Sequence, residues 1–412
     1  MYNILFFVII AIVFFDFLFE RIMQFLNSSW RSKPIPKELE NIYDKDKYKK
    51  QQEYAKTNSR FSIITTTFSF SLLLLILFTQ GFGLLHYKLA NYIENQMVLG
   101  LVFFGVLFLL MDIVNIPFSI YDTFVIEERF GFNKTTPLTF LLDKIKGYLL
   151  TAIIGGVLYA IVYKFYEYAG VNFWLYAWGI LSIFTLFITM FYSNLIVPLF
   201  NKQKPLKDGE LKSAITDFAN KVGFDIAEIY EIDGSKRSTR ANAYFTGLGS
   251  KKRIVLYDTL IDELTTEELV AVLAHEIGHY KKRHTITGLL LSIINMGIML
   301  FLLSLFVSRP ELSKALGVNE PTFHIGMVAF GLLYTPLSLI TGLFTNYISR
   351  KNEYQADDFA KINYKPEYLV SGLKKLSSNN LSNLTPHPFY VMVNYSHPTL
   401  LQRIRNLNDK LL

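Results

Sequence analysis

The sequence predicts an α-helical integral membrane protein with seven transmembrane helices and a small α+β domain outside the bilayer. Three observations predict it. The 412 residues are 51% hydrophobic and 16% aromatic, with a mean hydropathy of +0.29, too apolar for a water-soluble chain of this length. The apolar residues are bunched into stretches near or beyond the ~20 that cross a bilayer. One long polar stretch, 200–284, interrupts them.

Taken in order, the spans are 4–19, 61–85, 98–120, 147–166, 172–198, 285–308 and 324–349. The first is the shortest and ends near Asp16 and Glu20. It has no basic leader and no small-residue cleavage site, so it reads as an uncleaved span. The third carries Asp112 and a break at Asn115–Pro117. Segments 61–85, 285–308 and 324–349 contain no Asp, Glu, Lys or Arg. Four regions follow: 1–199 with spans one to five, 200–284 as the polar domain, 285–349 with spans six and seven, and 350–412 as a helical tail.

The net charge of +7 follows the loops, which argues for membrane topology and against nucleic acid. Loop 20–60 is rich in Lys and Arg, as are 121–146 and 200–284, whereas 86–97 carries only Lys88 and 167–171 carries none. The positive-inside rule then puts 200–284 and the C-terminus in the cytoplasm. With no cysteine, the chain has no disulfide, no thiolate ligand and no cysteine nucleophile.

Within the polar domain, 207–223 has a helical period. Strand-like runs follow at 226–233, 241–247 and 253–260, separated by turn signals at Asp233-Gly234-Ser235 and Gly247-Leu248-Gly249-Ser250. They lead into a helix over 265–284, with Thr265 and Glu268 spaced as a capping box. The tail reads as three helices: one continuing span seven through 350–361, one over 365–377 and one over 399–411.

The helix over 265–284 carries His275-Glu276-Ile277-Gly278-His279. At i and i+4 the two imidazoles project from one face. So placed they can bind one Zn²⁺, with Glu276 poised to act on the attacking water. A catalytic zinc needs a third protein ligand and one open position. Glu353 and Asp357 offer a second i, i+4 pair just beyond span seven. By itself this pair reads as a solvated acidic face; beside the HExxH sequence Glu353 is the expected third ligand. Asp357 is then expected to accept a hydrogen bond from a ligand histidine. His397, in Ser396-His397-Pro398-Thr399, is expected to donate to an oxyanion. His284 reads as a cation at a helix C-terminus, and His86, His324 and His387 as structural or interfacial. Asn242, Ala243 and Tyr244 lie in a Gly-bounded strand that, at a sheet edge, could hold an extended peptide.

These segments form a series: Asn242-Ala-Tyr-Phe245, Arg253-Ile-Val-Leu-Tyr-Asp-Thr-Leu260, His275–His279, Glu353-Tyr-Gln-Ala-Asp357 and Ser396-His-Pro-Thr-Leu-Leu401, with Ile126–Asn133 and Pro198–Lys202 upstream. In that order, over about 115–405, the chain resembles the type 1 CAAX prenyl protease family of integral-membrane zinc proteases. The resemblance implies seven membrane helices as a hollow barrel around a large chamber, capped on the cytoplasmic side by the zinc domain. It implies His275, His279 and Glu353 as zinc ligands, Glu276 as acid/base, and Asn242 and His397 as groups holding the scissile region. The implied substrate is a C-terminal Cys-a-a-X segment of a protein, prenylated at the Cys. Asn408-Asp-Lys-Leu-Leu412 carries no dilysine retrieval signal, so a bacterial cytoplasmic membrane is expected over the endoplasmic reticulum. Two other readings compete. Quality-control proteases of the heat-shock membrane type are shorter with fewer spans, and a transporter or lipid-binding chamber should show paired halves, which this sequence lacks.

Overall fold

The computed structural model describes residues 2–226, 228–246 and 253–409. The turn expected at 247–250 lies outside them. Helices dominate. Among the described residues five helical stretches are long and apolar enough to cross a bilayer: Lys45–Phe78, Gln96–Phe130, Pro137–Phe200, His284–Phe306 and Phe323–Asn363. Large apolar side chains on them, such as Ile183, Leu290 and Ile340, stay exposed, an arrangement that lipid favours and water penalises.

The stretch Pro137–Phe200 is 64 residues long but is not one rod. A 3-10 turn at Gly170–Asn172 breaks it, with Gly170 at φ 53, so Gly156–Ala169 and Phe173–Leu195 pack against each other. The N-terminal helix Ile4–Ser29 has 26 residues and carries Asp16, Glu20 and Arg21. Asp112, isolated in the sequence, is not isolated in space. Lys144 from the next long helix meets its carboxylate at 2.7 Å, and the Tyr148 hydroxyl donates to its other oxygen. Pairing of this kind lowers the cost of a carboxylate among apolar helices. His86 and His324 also meet, ring nitrogens 3.0 Å apart and both buried.

The polar domain holds a four-stranded sheet: β1 (Gln203–Pro205), β2 (Glu228–Ile232), β3 (Ala243–Thr246) and β4 (Arg253–Tyr257). The order is β1-β2-β4-β3, with β2 and β4 parallel and the outer pairs antiparallel. Among the described residues β3 is therefore an edge strand. β1 was not visible in the sequence, because three residues including Lys204 and Pro205 carry no alternation. Leu206, Ile215, Phe218, Phe224, Ile254 and Leu256 are buried against Leu269, Leu273 and Ile277 of the HExxH helix. Two arginines tie the turn before β3 to the membrane helices. Arg237 grips Asp143 at 2.7 and 2.8 Å, and Arg240 grips Glu127 at 2.8 Å.

Candidate metal centre

The HExxH helix runs Thr266–Lys281 and starts at a capping box. Thr265 Oγ1 accepts from the Glu268 N–H at 3.3 Å, and Glu268 Oε2 accepts from the Thr265 N–H at 2.9 Å. The buried Glu268 carboxylate also takes Ser371 Oγ and Lys375 Nζ, each at 2.7 Å. These bonds pin the helix to the neighbouring helix Pro366–Asn379.

The helix Phe323–Asn363 has 41 residues, about 60 Å at 1.5 Å per residue. It therefore outruns the bilayer and carries Glu353 and Asp357 to the HExxH helix. The two helices cross at Gly278, where an added Cβ would lie 3.0 Å from the Ala356 carbonyl oxygen and the Phe359 Cβ. A Cβ at 278 would require the crossing to give by a few tenths of an ångström, so the glycine permits this close approach.

His275, His279 and Glu353 meet as a group that could hold a metal ion. His275 Nε2 and His279 Nε2 are 3.1 Å apart. Glu353 Oε1 is 3.2 Å from His279 Nε2, and Oε2 is 3.4 Å from His275 Nε2. Ligand atoms held 2.0–2.1 Å from a tetrahedral zinc lie about 3.3–3.4 Å from one another. The observed spacings are close to that edge length. Glu353 Oε2 is buried without a hydrogen-bond partner, as a metal-binding oxygen would be. The donor set and its spacing fit a two-histidine, one-carboxylate site.

Asp357 is fully buried. Its Oδ1 accepts from His275 Nδ1 at 2.8 Å, and Arg403 binds both its oxygens at 2.9 and 2.6 Å. With Nδ1 protonated, the His275 lone pair points from Nε2 into the site. Burial and the Arg403 charge both push the His275 imidazole down, but the Asp357 and Glu353 carboxylates outweigh them and leave it raised to about 9. Burial opposes ionising Glu353, yet His275, His279 and Arg403 hold its carboxyl far below the ordinary range. Ligation needs the neutral imidazole, so a metal at this position would compete with protons.

A cleft of about 570 Å³ opens on the group, lined by Glu276, His397, Asn242 and Ala243 among others. Glu276 is part-buried. His397 Nε2 lies 3.3 Å from Glu353 Oε1, and its side chain is 63% exposed, so it can turn toward a bound ligand. The Asn242 carbonyl accepts from the Tyr257 N–H at 3.1 Å and its Oδ1 from the Ala243 N–H at 2.9 Å. Among the described residues its amide nitrogen has no partner. Tyr244 departs from the grouping. Its hydroxyl turns away to Ser193 and Gln203, at 3.4 and 3.5 Å, so only its backbone on the β3 edge stays near the cleft.

Sequence reasoning missed two residues. Arg403 is drawn in from the helix Leu400–Asn408, and the only cue was its place six residues after His397. His284 was expected to be a C-terminal cation. It is buried, with Nδ1 3.0 Å from His279 Nδ1 and Nε2 2.9 Å from Gln355 Oε1.

Residues 24–202 match the family described as CAAX prenyl protease N-terminal, five membrane helices. Residues 205–411 match peptidase family M48. The chain is 36% identical to CAAX prenyl protease 1 homolog of Dictyostelium discoideum, covering 91% of this chain and 90% of that protein. It is 34% identical to CAAX prenyl protease 1 of Saccharomyces cerevisiae, covering 91% and 88%. The crystal structure of S. mikatae Ste24p superposes with a TM-score of 0.94 at 32% identity, covering 99% of this chain and all of that one.

Proposed function

The chain belongs to the type 1 CAAX prenyl protease family of M48 peptidases, and from that premise we propose that it is a zinc endopeptidase that trims C-terminal Cys-a-a-X segments of prenylated proteins. It is a multi-pass membrane metalloprotease. The observation that carries the finer reading is the convergence of His275 Nε2, His279 Nε2 and Glu353 at tetrahedral spacing, beside Glu276 in a cleft bordered by an edge strand.

Zinc in this site supplies a Lewis acid that acidifies water and polarises a peptide carbonyl. Glu276 accepts the proton of the attacking water and passes it to the leaving amine. His397 donates to the oxygen that gains charge in the transition state. The free edge of β3 pairs with the extended substrate, and Asn242 Nδ2 donates to a peptide carbonyl. A His397→Ala protein should keep zinc and lose about 10²–10³-fold in kcat. Loss of zinc instead, measured on the purified protein, would make His397 a ligand and overturn its assignment.

The hairpin within Pro137–Phe200 supplies two spans and Ile4–Ser29 another, so seven spans surround the chamber in this reading. The polar domain and its metal site face the cytoplasm, on the strength of the basic loops. The absence of cysteine makes the sidedness testable. In intact cells an impermeant thiol reagent should label a cysteine placed at the exposed Tyr92 and spare one at Asp208; the reverse pattern would put the site on the other side. The substrate claim rests on comparing cleavage of one Cys-a-a-X peptide with and without a farnesyl group by the zinc-loaded protein. Faster cleavage of the farnesylated form is expected. Cleavage of neither form would remove the substrate assignment.

A further inference from the structure

Building on the zinc-site reading above, we propose that His284 is a positioning residue that fixes the tautomer and ring orientation of His279 through a relay ending on the Gln355 amide.

The relay follows from counting protons. Gln355 presents its carbonyl oxygen to His284 Nε2 at 2.9 Å. An amide oxygen only accepts, so His284 Nε2 carries the proton. Neutral His284 then holds a lone pair on Nδ1. That atom lies 3.0 Å from His279 Nδ1, and one proton must sit between two nitrogens at that distance. It sits on His279. The lone pair of His279 is thereby placed on Nε2, the atom 3.2 Å from Glu353 Oε1 and 3.1 Å from His275 Nε2. The two rings meet edge-on at 76°, centroids 5.0 Å apart.

The backbone is arranged for this contact. On one continuous helix, residues five apart are about 140° away from each other around the axis and do not touch. The HExxH helix stops at Lys281, and Arg283 takes φ 60 before a new helix opens at His284. A non-glycine residue in that region is uncommon. Here the left-handed turn swings His284 back beside His279.

The two ligand histidines are thus oriented by different acceptors. His275 donates to a carboxylate, Asp357, and His279 to a neutral imidazole. Among the described residues the site holds Glu353, Asp357 and Glu276 against the guanidinium of Arg403. A second carboxylate acceptor would add negative charge and weaken the metal as a Lewis acid. A neutral acceptor fixes the ring without that charge.

The test is zinc affinity, measured by chelator competition on the purified, metal-free full chain in detergent. His284→Leu removes the acceptor and should weaken zinc binding about 10–100-fold, the usual loss when a partner behind a ligand histidine is removed. His284→Asn keeps an acceptor oxygen near the Nδ1 position and should stay within about threefold of wild type. Gln355→Leu leaves both imidazoles in place and should fall between them; it also keeps the proposal testable if His284→Leu fails to fold. Wild-type affinity in both leucine variants would overturn the relay while leaving the zinc site standing. Equal losses in His284→Asn and His284→Leu would reduce His284 to packing. A wild-type chain that binds no zinc would overturn the underlying reading and the relay with it.

Discussion

A Glu276→Gln protein is expected to retain about one zinc per chain and to lose roughly 10²–10⁴-fold of its turnover. Glu276 lines the cleft but is not among the three groups that converge on the metal position, so binding does not depend on it. The substitution keeps the shape of the side chain, so neither the HExxH helix nor the crossing at Gly278 is disturbed. What it removes is a group able to accept a proton from water and return it to an amine. Zinc content and peptide cleavage on the same preparation check this. Wild-type turnover with zinc bound would exclude Glu276 as the base.

Truncating Glu353 has the other large expected effect. Glu353→Ala leaves two histidines and no carboxylate, and should lose most of the zinc affinity together with the activity. Asp357 acts one step further out. Losing its hydrogen bond to His275 should cost about 10–100-fold in affinity or activity. Asp357 also balances Arg403, which would be left with Glu353 at 3.6 Å as its carboxylate contact in the site. Breaking a buried pair is destabilising by roughly 3–5 kcal/mol, so Asp357→Ala should also lower the unfolding temperature. Asp357→Asn, which preserves shape, is the better variant for separating the two effects. Zinc titration of each purified protein ranks them. Wild-type affinity in Glu353→Ala with weak binding in Asp357→Asn would exchange their roles.

What could be read from the sequence was local. The i, i+4 spacing of His275 and His279 puts both rings on one face of a helix whose start is marked by Thr265 and Glu268, all within fifteen residues. Glu353 and Asp357 have the same spacing, and the apolar run before them supplies the helix that delivers them. The edge position of β3 was only a condition at that stage, and the strand order β1-β2-β4-β3 meets it. Features made by chain reversal or distant contact were hidden. His284 depends on the left-handed turn at Arg283, and its partner Gln355 is 71 residues away. Arg403 depends on the docking of the last helix. Tyr244 was placed with Asn242 and Ala243 because they share one strand, but strand alternation sends its side chain to the face opposite Ala243 and Phe245. The same alternation puts Ala243 on the cleft side. The His86–His324 pair joins residues 238 apart, which no local pattern could have announced.

The most direct test is an anomalous difference map at the zinc edge from crystals of the zinc-loaded wild-type protein. A single strong peak is expected about 2.0–2.2 Å from His275 Nε2, His279 Nε2 and one Glu353 oxygen, with one position left open to the cleft. A peak on any other set of side chains, or no peak within reach of these three, would contradict the account.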